Sequence, residues 1–244
     1  MLPSRTLAAA EVRSLVGLAQ VADDLWVDEV VVVAARGPDP LTLLAAAAQV
    51  TTTVGLVAGL DASVAVPDAT AAAAATALTL GVGRVALLIE GCAGARDRAE
   101  ALVDACRAAS PARLPIYVAG PPLPEVGQLA ATVADGWQFP PGLPLDQVGL
   151  AATAVGERRL GTGRPRALEV RTVLTPTGTD GADGADAMVW DLGQVAAHFA
   201  AGAAVVVADL DDAVARGVDP RVAIVEVAQA FADRPARPAR PARP

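Results

Sequence analysis

The chain has 244 residues, 53% apolar and 19% charged. That composition supplies one sizeable core and excludes an intrinsically disordered chain. Its net charge is −8 and its pI near 4.6, which argues against a nucleic-acid partner, since such partners select a basic face. All 19 cations are Arg. With no Lys in the chain, a Schiff base, a P-loop lysine and a Ser-Lys nucleophile are excluded. The absence of Asn likewise excludes a Cys-His-Asn protease arrangement and an N-glycosylation sequon. Aromatics make up only 3%, so the core is built from Ala, Val and Leu and its elements should approach closely.

Taken in order, "SRTLAA" (Ser4–Ala9) is a weak opening strand, followed by a helix over Glu11–Leu25 and the strand Glu29–Ala35. A helix over Pro40–Gln49 leads to the strand Thr52–Gly59, and Asp68–Leu80 to the strand Arg84–Gly91. Next come the helix Arg96–Ala109, the strand Leu114–Gly120, the helix Pro124–Ala134 and the strand Gly136–Phe139. The helix Leu145–Glu157 precedes the strand Ala167–Thr175. A Gly/Asp-rich loop (Pro176–Ala187), the helix Ala187–Ala201, the strand Ala203–Leu210 and the helix Pro220–Phe231 complete the series. The strands are near-continuous apolar runs, the pattern of parallel strands buried on both faces. Pro40, Pro67, Pro124, Pro144 and Pro220 fall at helix starts, where a missing N–H is harmless. Gly81, Gly136 and Gly202 are expected just past helix ends in the left-handed conformation.

Eight strand–helix units in a chain of this length predict an α/β fold, a compact (β/α)8 TIM barrel with trimmed insertion loops. A doubly wound open sheet is the alternative, but the Gly-rich fingerprint it would carry after its first strand is missing. Residues 1–231 form the domain. The tail over 232–244, with its Arg-Pro-Ala repeat from Arg234, reads as a solvated arm. Cys92 and Cys106 are expected as reduced thiols. No signal-peptide pattern and no apolar run of membrane-spanning length occur, so a soluble, cytoplasmic protein without a membrane partner is expected.

Four stretches in the right order resemble the luciferase-like monooxygenase superfamily of flavin- and deazaflavin-dependent barrel enzymes. They are "DPLTLLAAAAQVTTTVGLVAGL", "VPDATAAAAATALTLGVGRVALLIEGCAG", "LPIYVAGPPLPEVGQLAATVADGWQF" and "VAAHFAAGAAVVVADL". The third is the most specific: a strand, a phosphate-side loop, a helix ending in Ala-Asp-Gly and the next strand. The chain departs from that family where its polar residues usually lie. The second strand ends Val33-Ala34-Ala35-Arg36, the fourth Ile89-Glu90-Gly91-Cys92, and the phosphate-side loop reads Ala119-Gly120-Pro121. The resemblance implies a flavin- or deazaflavin-dependent oxidoreductase or monooxygenase acting on a small organic substrate, with FMN, a deazaflavin or no cofactor at all. The Lys-free, Ala/Arg-rich composition is of the high-GC, actinobacterial type, which tips this choice slightly toward the deazaflavin.

In such a barrel the site lies at the C-terminal ends of the strands. Glu90 and Arg36 are therefore the candidate catalytic residues, Glu90 as a carboxyl whose pKa burial would raise and Arg36 as a fork of donors for an anionic group. A structural alternative pairs Glu90 with Arg36 or Arg171. Ala58, Gly59, Gly91, Ala119, Gly120 and Pro121 are the candidate cofactor-binding positions. Their small size would admit a flat ring, and Gly120 would present N–H groups to a phosphate. The same glycines would also serve tight turns whatever binds. His198 reads as a packing or capping residue, Cys92 as a nucleophile without a His partner, and Asp180, Asp183 and Asp186 as loop residues rather than a calcium site. No zinc set can be assembled. The competing readings are a cofactor-free relative using the mouth as a binding pocket or a cyclase-like site, and a subunit that supports a catalytic partner. A homodimer is compatible with each of them.

Overall fold

In the computed structural model the described residues are 9–33, 39–110, 113–165, 167–174, 177–179, 187–189, 192–209 and 219–232. The opening strand Ser4–Ala9 lies outside them except for Ala9, which begins helix α1 (Ala9–Asp24). Five strand–helix units and a further strand follow: β1 (Glu29–Val33) with α2 (Pro40–Ala48), β2 (Gly55–Asp61) with α3 (Pro67–Leu80), β3 (Val85–Glu90) with α4 (Arg96–Ala109), β4 (Ile116–Ala119) with α5 (Pro124–Thr132), β5 (Gly136–Phe139) with α6 (Leu145–Gly161), and then β6 (Glu169–Leu174). A small hairpin, β7 (Thr177–Thr179) and β8 (Ala187–Val189), precedes α7 (Leu192–Ala200), β9 (Val205–Ala208) and α8 (Pro220–Ala232). The helix expected from Ala187 thus starts five residues later, its first three residues being spent on the antiparallel pairing with β7.

The main sheet has seven strands in the order β1-β2-β3-β4-β5-β6-β9, and every pairing in it is parallel. The sheet is curled. β1 and β6 are five strand steps apart, which in a flat sheet would separate them by roughly 24 Å. Yet Arg171 Nη1 on β6 lies 2.7 Å from Glu29 Oε2 on β1. At the other end of the chain α8 packs on α1, so the two edges approach each other. The fold is α/β and barrel-like. A closing eighth strand would fall on residues outside those described.

Side chains alternate across the sheet. Leu56, Ala58, Leu60, Leu87, Ile89, Ile116, Val118, Trp137 and Phe139 join Ala- and Leu-rich helix residues in the outer core. Small helix side chains such as Ala74, Ala77 and Ala99 are fully buried there. Val57, Ala86, Leu88 and Tyr117 form a separate inner cluster with Val31 and Ala119. Near the start of the strands the interior also carries charge. Arg171 is fully buried, bonded to Glu29 and to Glu169 at 3.1 Å, with its guanidinium 4.4 Å over the Tyr117 ring. Arg171 therefore has two carboxylate partners, and neither is Glu90. Gly136 opens β5 rather than ending a helix; a Cβ there would come 2.7 Å from the Tyr117 ring. Gly81 also departs from expectation, with φ −81°. The left-handed positions in that turn are Val82 and Gly83, while Gly202 does adopt positive φ.

Proline sits at the first positions of α2, α3 and α5, and Pro144 caps α6. Arg84, which opens β3's approach, donates to the carbonyls of Ala48, Thr51 and Val54 and to the Thr51 hydroxyl, tying the end of α2 to the sheet. The tail beyond residue 232 and Asp180, Asp183 and Asp186 lie outside the described residues.

Candidate active site

Parity along the strands decides which expected residues reach the mouth. On β2 the inward positions are Val57, Gly59 and Asp61. Ala58 is fully buried in the outer core, so its side chain faces the helices rather than the interior. Gly59 faces inward, but a Cβ there would meet Val33 Cα at 3.1 Å. It serves close packing of β1 on β2. The strand runs on to Asp61, which pairs in register with Glu90, the last residue of β3.

Two carboxylates thus end neighbouring strands side by side. The Asp61 carboxylate accepts the Ser63 N–H at 2.8 Å, and the Glu90 carbonyl accepts the Ala62 N–H at 3.0 Å, which fixes the two strand ends together. Burial, helped by the charge of Asp61, raises the Glu90 pKa. Among the described residues no cation pairs with Glu90, and Arg36 lies outside them. Gly91 has φ +69°, and a Cβ there would lie 2.6 Å from Asp61 Oδ1. Glycine lets the chain turn sharply after β3 without displacing the Asp61 carboxylate.

On β4, Ala119 faces inward beside the inner cluster and pairs with Gln138 of β5. Gln138 is 9% exposed, and among the described residues its Oε1 has no hydrogen-bond partner. Its register neighbour on β6 is Arg171, whose Nε and Nη2 are likewise without partners among the described residues. Unmet buried donors and an unmet acceptor side by side cost free energy, so water or a polar ligand group would be favoured here. Gly120 has φ +146°, and both of its peptide groups are occupied. Its N–H donates to the Gln138 carbonyl at 3.1 Å, and its carbonyl accepts Trp137 Nε1–H at 3.0 Å. Pro121, Pro122 and Pro124 have no N–H, and the Leu123 N–H is bonded to the Pro121 carbonyl. The expectation that Gly120 offers a phosphate its N–H is therefore corrected: that N–H closes the β4–β5 ladder.

Burial pushes the Cys92 thiol up to about 12 and that of Cys106 up to about 11. Both cysteines are free and buried, and as neutral thiols they are poor nucleophiles. His198 is in the last turn of α7, half-buried, its pKa lowered by burial, and sits on a helix rather than at the mouth. Among the described residues no group of three or more His, Cys, Asp or Glu side chains is placed to hold a metal, and no helix is long and apolar enough to cross a membrane.

Asp61 and Gln138 are the mouth residues that sequence reasoning overlooked. The signal was available for Asp61, since counting in twos from Val57 brings it into line with Glu90. For Gln138 it was the one polar side chain in "GWQF".

Sequence comparison finds no matching family model and no matching curated protein. Solved structures do share the fold. The monooxygenase RslO1 from Streptomyces bottropensis is 21% identical with a TM-score of 0.60, over 92% of this chain and 80% of that one. The coenzyme F420 dependent tetrahydromethanopterin reductase from Methanopyrus kandleri is 14% identical with a TM-score of 0.65, over 94% and 96%. The oxygenating constituent of 3,6-diketocamphane monooxygenase from Pseudomonas putida, in complex with FMN, is 14% identical with a TM-score of 0.53, over 71% and 64%.

Proposed function

We propose that this chain is a flavin- or deazaflavin-dependent oxidoreductase of the luciferase-like kind, acting on a small organic substrate at the mouth formed by β2 to β5. The observation that carries this reading is the row Asp61, Glu90, Ala119, Gln138 on a fold shared with an F420-dependent reductase and an FMN-bound oxygenase. The orphaned Gln138 Oε1 fits the ring N–H that both cofactors carry. Ala119 leaves space beside it. When bound, the cofactor would supply hydride or oxygen chemistry. The chain's own part is proton handling: Glu90, its pKa raised by burial and by Asp61, is the carboxyl placed to give and take a proton at the mouth.

A cofactor-free pocket is the second reading. It is favoured by the loop after β4, where proline and occupied N–H groups leave little to cradle a phosphate. Equilibrium titration of the purified chain with FMN, coenzyme F420 and riboflavin separates the two. Saturable binding of one of them, weakened roughly tenfold in Gln138→Leu, supports the first reading; tenfold is ~1.4 kcal/mol, the size of one hydrogen bond. No binding of any of the three overturns it in favour of the second.

A further inference from the structure

On the face opposite the mouth, three arginines converge on one carboxylate. Asp135 sits just before β5, and its side chain is 3.5 Å from Arg107, 3.1 Å from Arg113 and 3.5 Å from Arg164. These residues and Leu114 line an open cavity of about 290 Å³. Arg107 comes from the last turn of α4, Arg113 from the approach to β4, and Arg164 from the turn after α6. A fourth arginine, Arg159, is buried behind them and bonded to the carbonyls of Ala130, Ala134 and Pro165.

Part of this cluster has an ordinary structural task. Arg107 donates to the Val133 carbonyl and Arg164 to the Thr132 carbonyl, closing the C-terminal end of α5. Arg113 has no such role. Among the described residues its one hydrogen bond is to Asp135 Oδ1, and its side chain is 76% exposed. Three guanidiniums against one carboxylate leave two positive charges around the cavity, in a chain whose overall charge is −8. The excess is felt within the cluster: burial first, then the neighbouring arginines, lower the pKa of Arg159 and Arg164. A bound dianion would relieve that repulsion, and guanidinium forks match phosphate oxygens in geometry.

We propose that this cavity is an anion site for a phosphate group, either inorganic phosphate or the phosphate of a small ester, on the N-terminal face of the barrel and distinct from the mouth. Its test is calorimetric titration of the full chain with inorganic phosphate and, separately, with phenyl phosphate, at ionic strength held constant with sodium chloride. Saturable binding of at least one probe is expected, about tenfold or more weaker in Arg113→Gln and in Arg107→Gln. Arg113→Gln should fold as the parent does, because an exposed ion pair contributes little. Arg96→Gln removes an equal charge from a surface pair with Glu100 and should leave binding unchanged. Tighter binding of the ester than of inorganic phosphate assigns the site to a phosphorylated metabolite, and the reverse to the free ion. The proposal is overturned if neither probe binds saturably below about 20 mM, if Arg113→Gln binds as well as the parent, or if Arg96→Gln weakens binding equally.

Discussion

Glu90 occupies a position that costs stability once it ionises. Burial and the charge of Asp61 raise its pKa in the folded chain, so the folded state holds this proton more tightly than the unfolded one. Its stabilising contribution is complete below the unfolded carboxyl value of about 4.3 and is lost as pH rises through the folded value. Glu90→Gln should therefore melt a few degrees above the parent at pH 7 to 8, with the gain vanishing near pH 4. For a chain of this size ~1 kcal/mol moves the melting temperature by about 2–4 °C. If Glu90 handles the proton in catalysis, the same variant should lose turnover by on the order of a hundredfold or more. Melting curves and turnover measured on one preparation check both. A less stable Glu90→Gln protein would show that Glu90 is held by a cation after all.

Two features at the ends of elements can be read in the same way. Asp23, in the last turn of α1, accepts hydrogen bonds from the backbone N–H groups of Thr52, Thr53 and Val54 and from both threonine hydroxyls. Burial opposes its ionisation, but these donors outweigh burial and hold its carboxyl far below the usual range. The carboxylate staples α1 to the loop entering β2. Asp23→Ala should cost about 1–3 kcal/mol at neutral pH, discounted from five charged bonds because the site is partly solvated. With a depressed folded pKa, the contribution is present above the unfolded value of about 3.9 and falls as pH drops below it. Urea melts at pH 7 and pH 2.5 should therefore show the gap between parent and variant narrowing in acid. Val82 is the opposite case: a β-branched residue at φ 49° and 85% exposed in the α3–β3 turn. The left-handed conformation costs a non-glycine residue ~1–2 kcal/mol, and glycine returns part of that as chain entropy. Val82→Gly should raise the melting temperature by about 2 °C, and a drop would mean that the Val82 side chain makes a contact worth keeping.

At the scale of the molecule, the Arg171 cluster reports how the sheet curls. Its partners come from β1 and from β6 itself, and its ring contact from β4, so it joins strands that are remote in the sheet. Removing the cation leaves Glu29 and Glu169 facing each other in the interior, and losing one partner of a buried pair costs roughly 3–5 kcal/mol. Arg171→Met should be destabilised by about that much in chemical denaturation. The triple change Arg171→Met, Glu29→Gln, Glu169→Gln should recover most of the loss. Recovery would show that the cluster's cost lies in unpaired charge rather than in lost packing around Tyr117.

The strand–helix alternation, the parallel sheet and most element positions were determined by the sequence alone, because apolar runs and proline-led Ala-rich helices are local signals. Glu90 was legible for the same reason: it ends an apolar run. What only tertiary structure decided is which side chains meet. Ala58 turned away from the mouth through strand parity, a relation fixed when β2 packs between the helices and the interior. Asp61 and Gln138 joined Glu90 because register aligns residues 29 and 48 positions apart along the chain. The Gly120 N–H was taken by a neighbouring strand's carbonyl, which no local pattern announces. The clearest case is Arg171, 142 residues from Glu29: their contact exists only because the sheet bends back on itself, and curvature is a property of all the strands packed together.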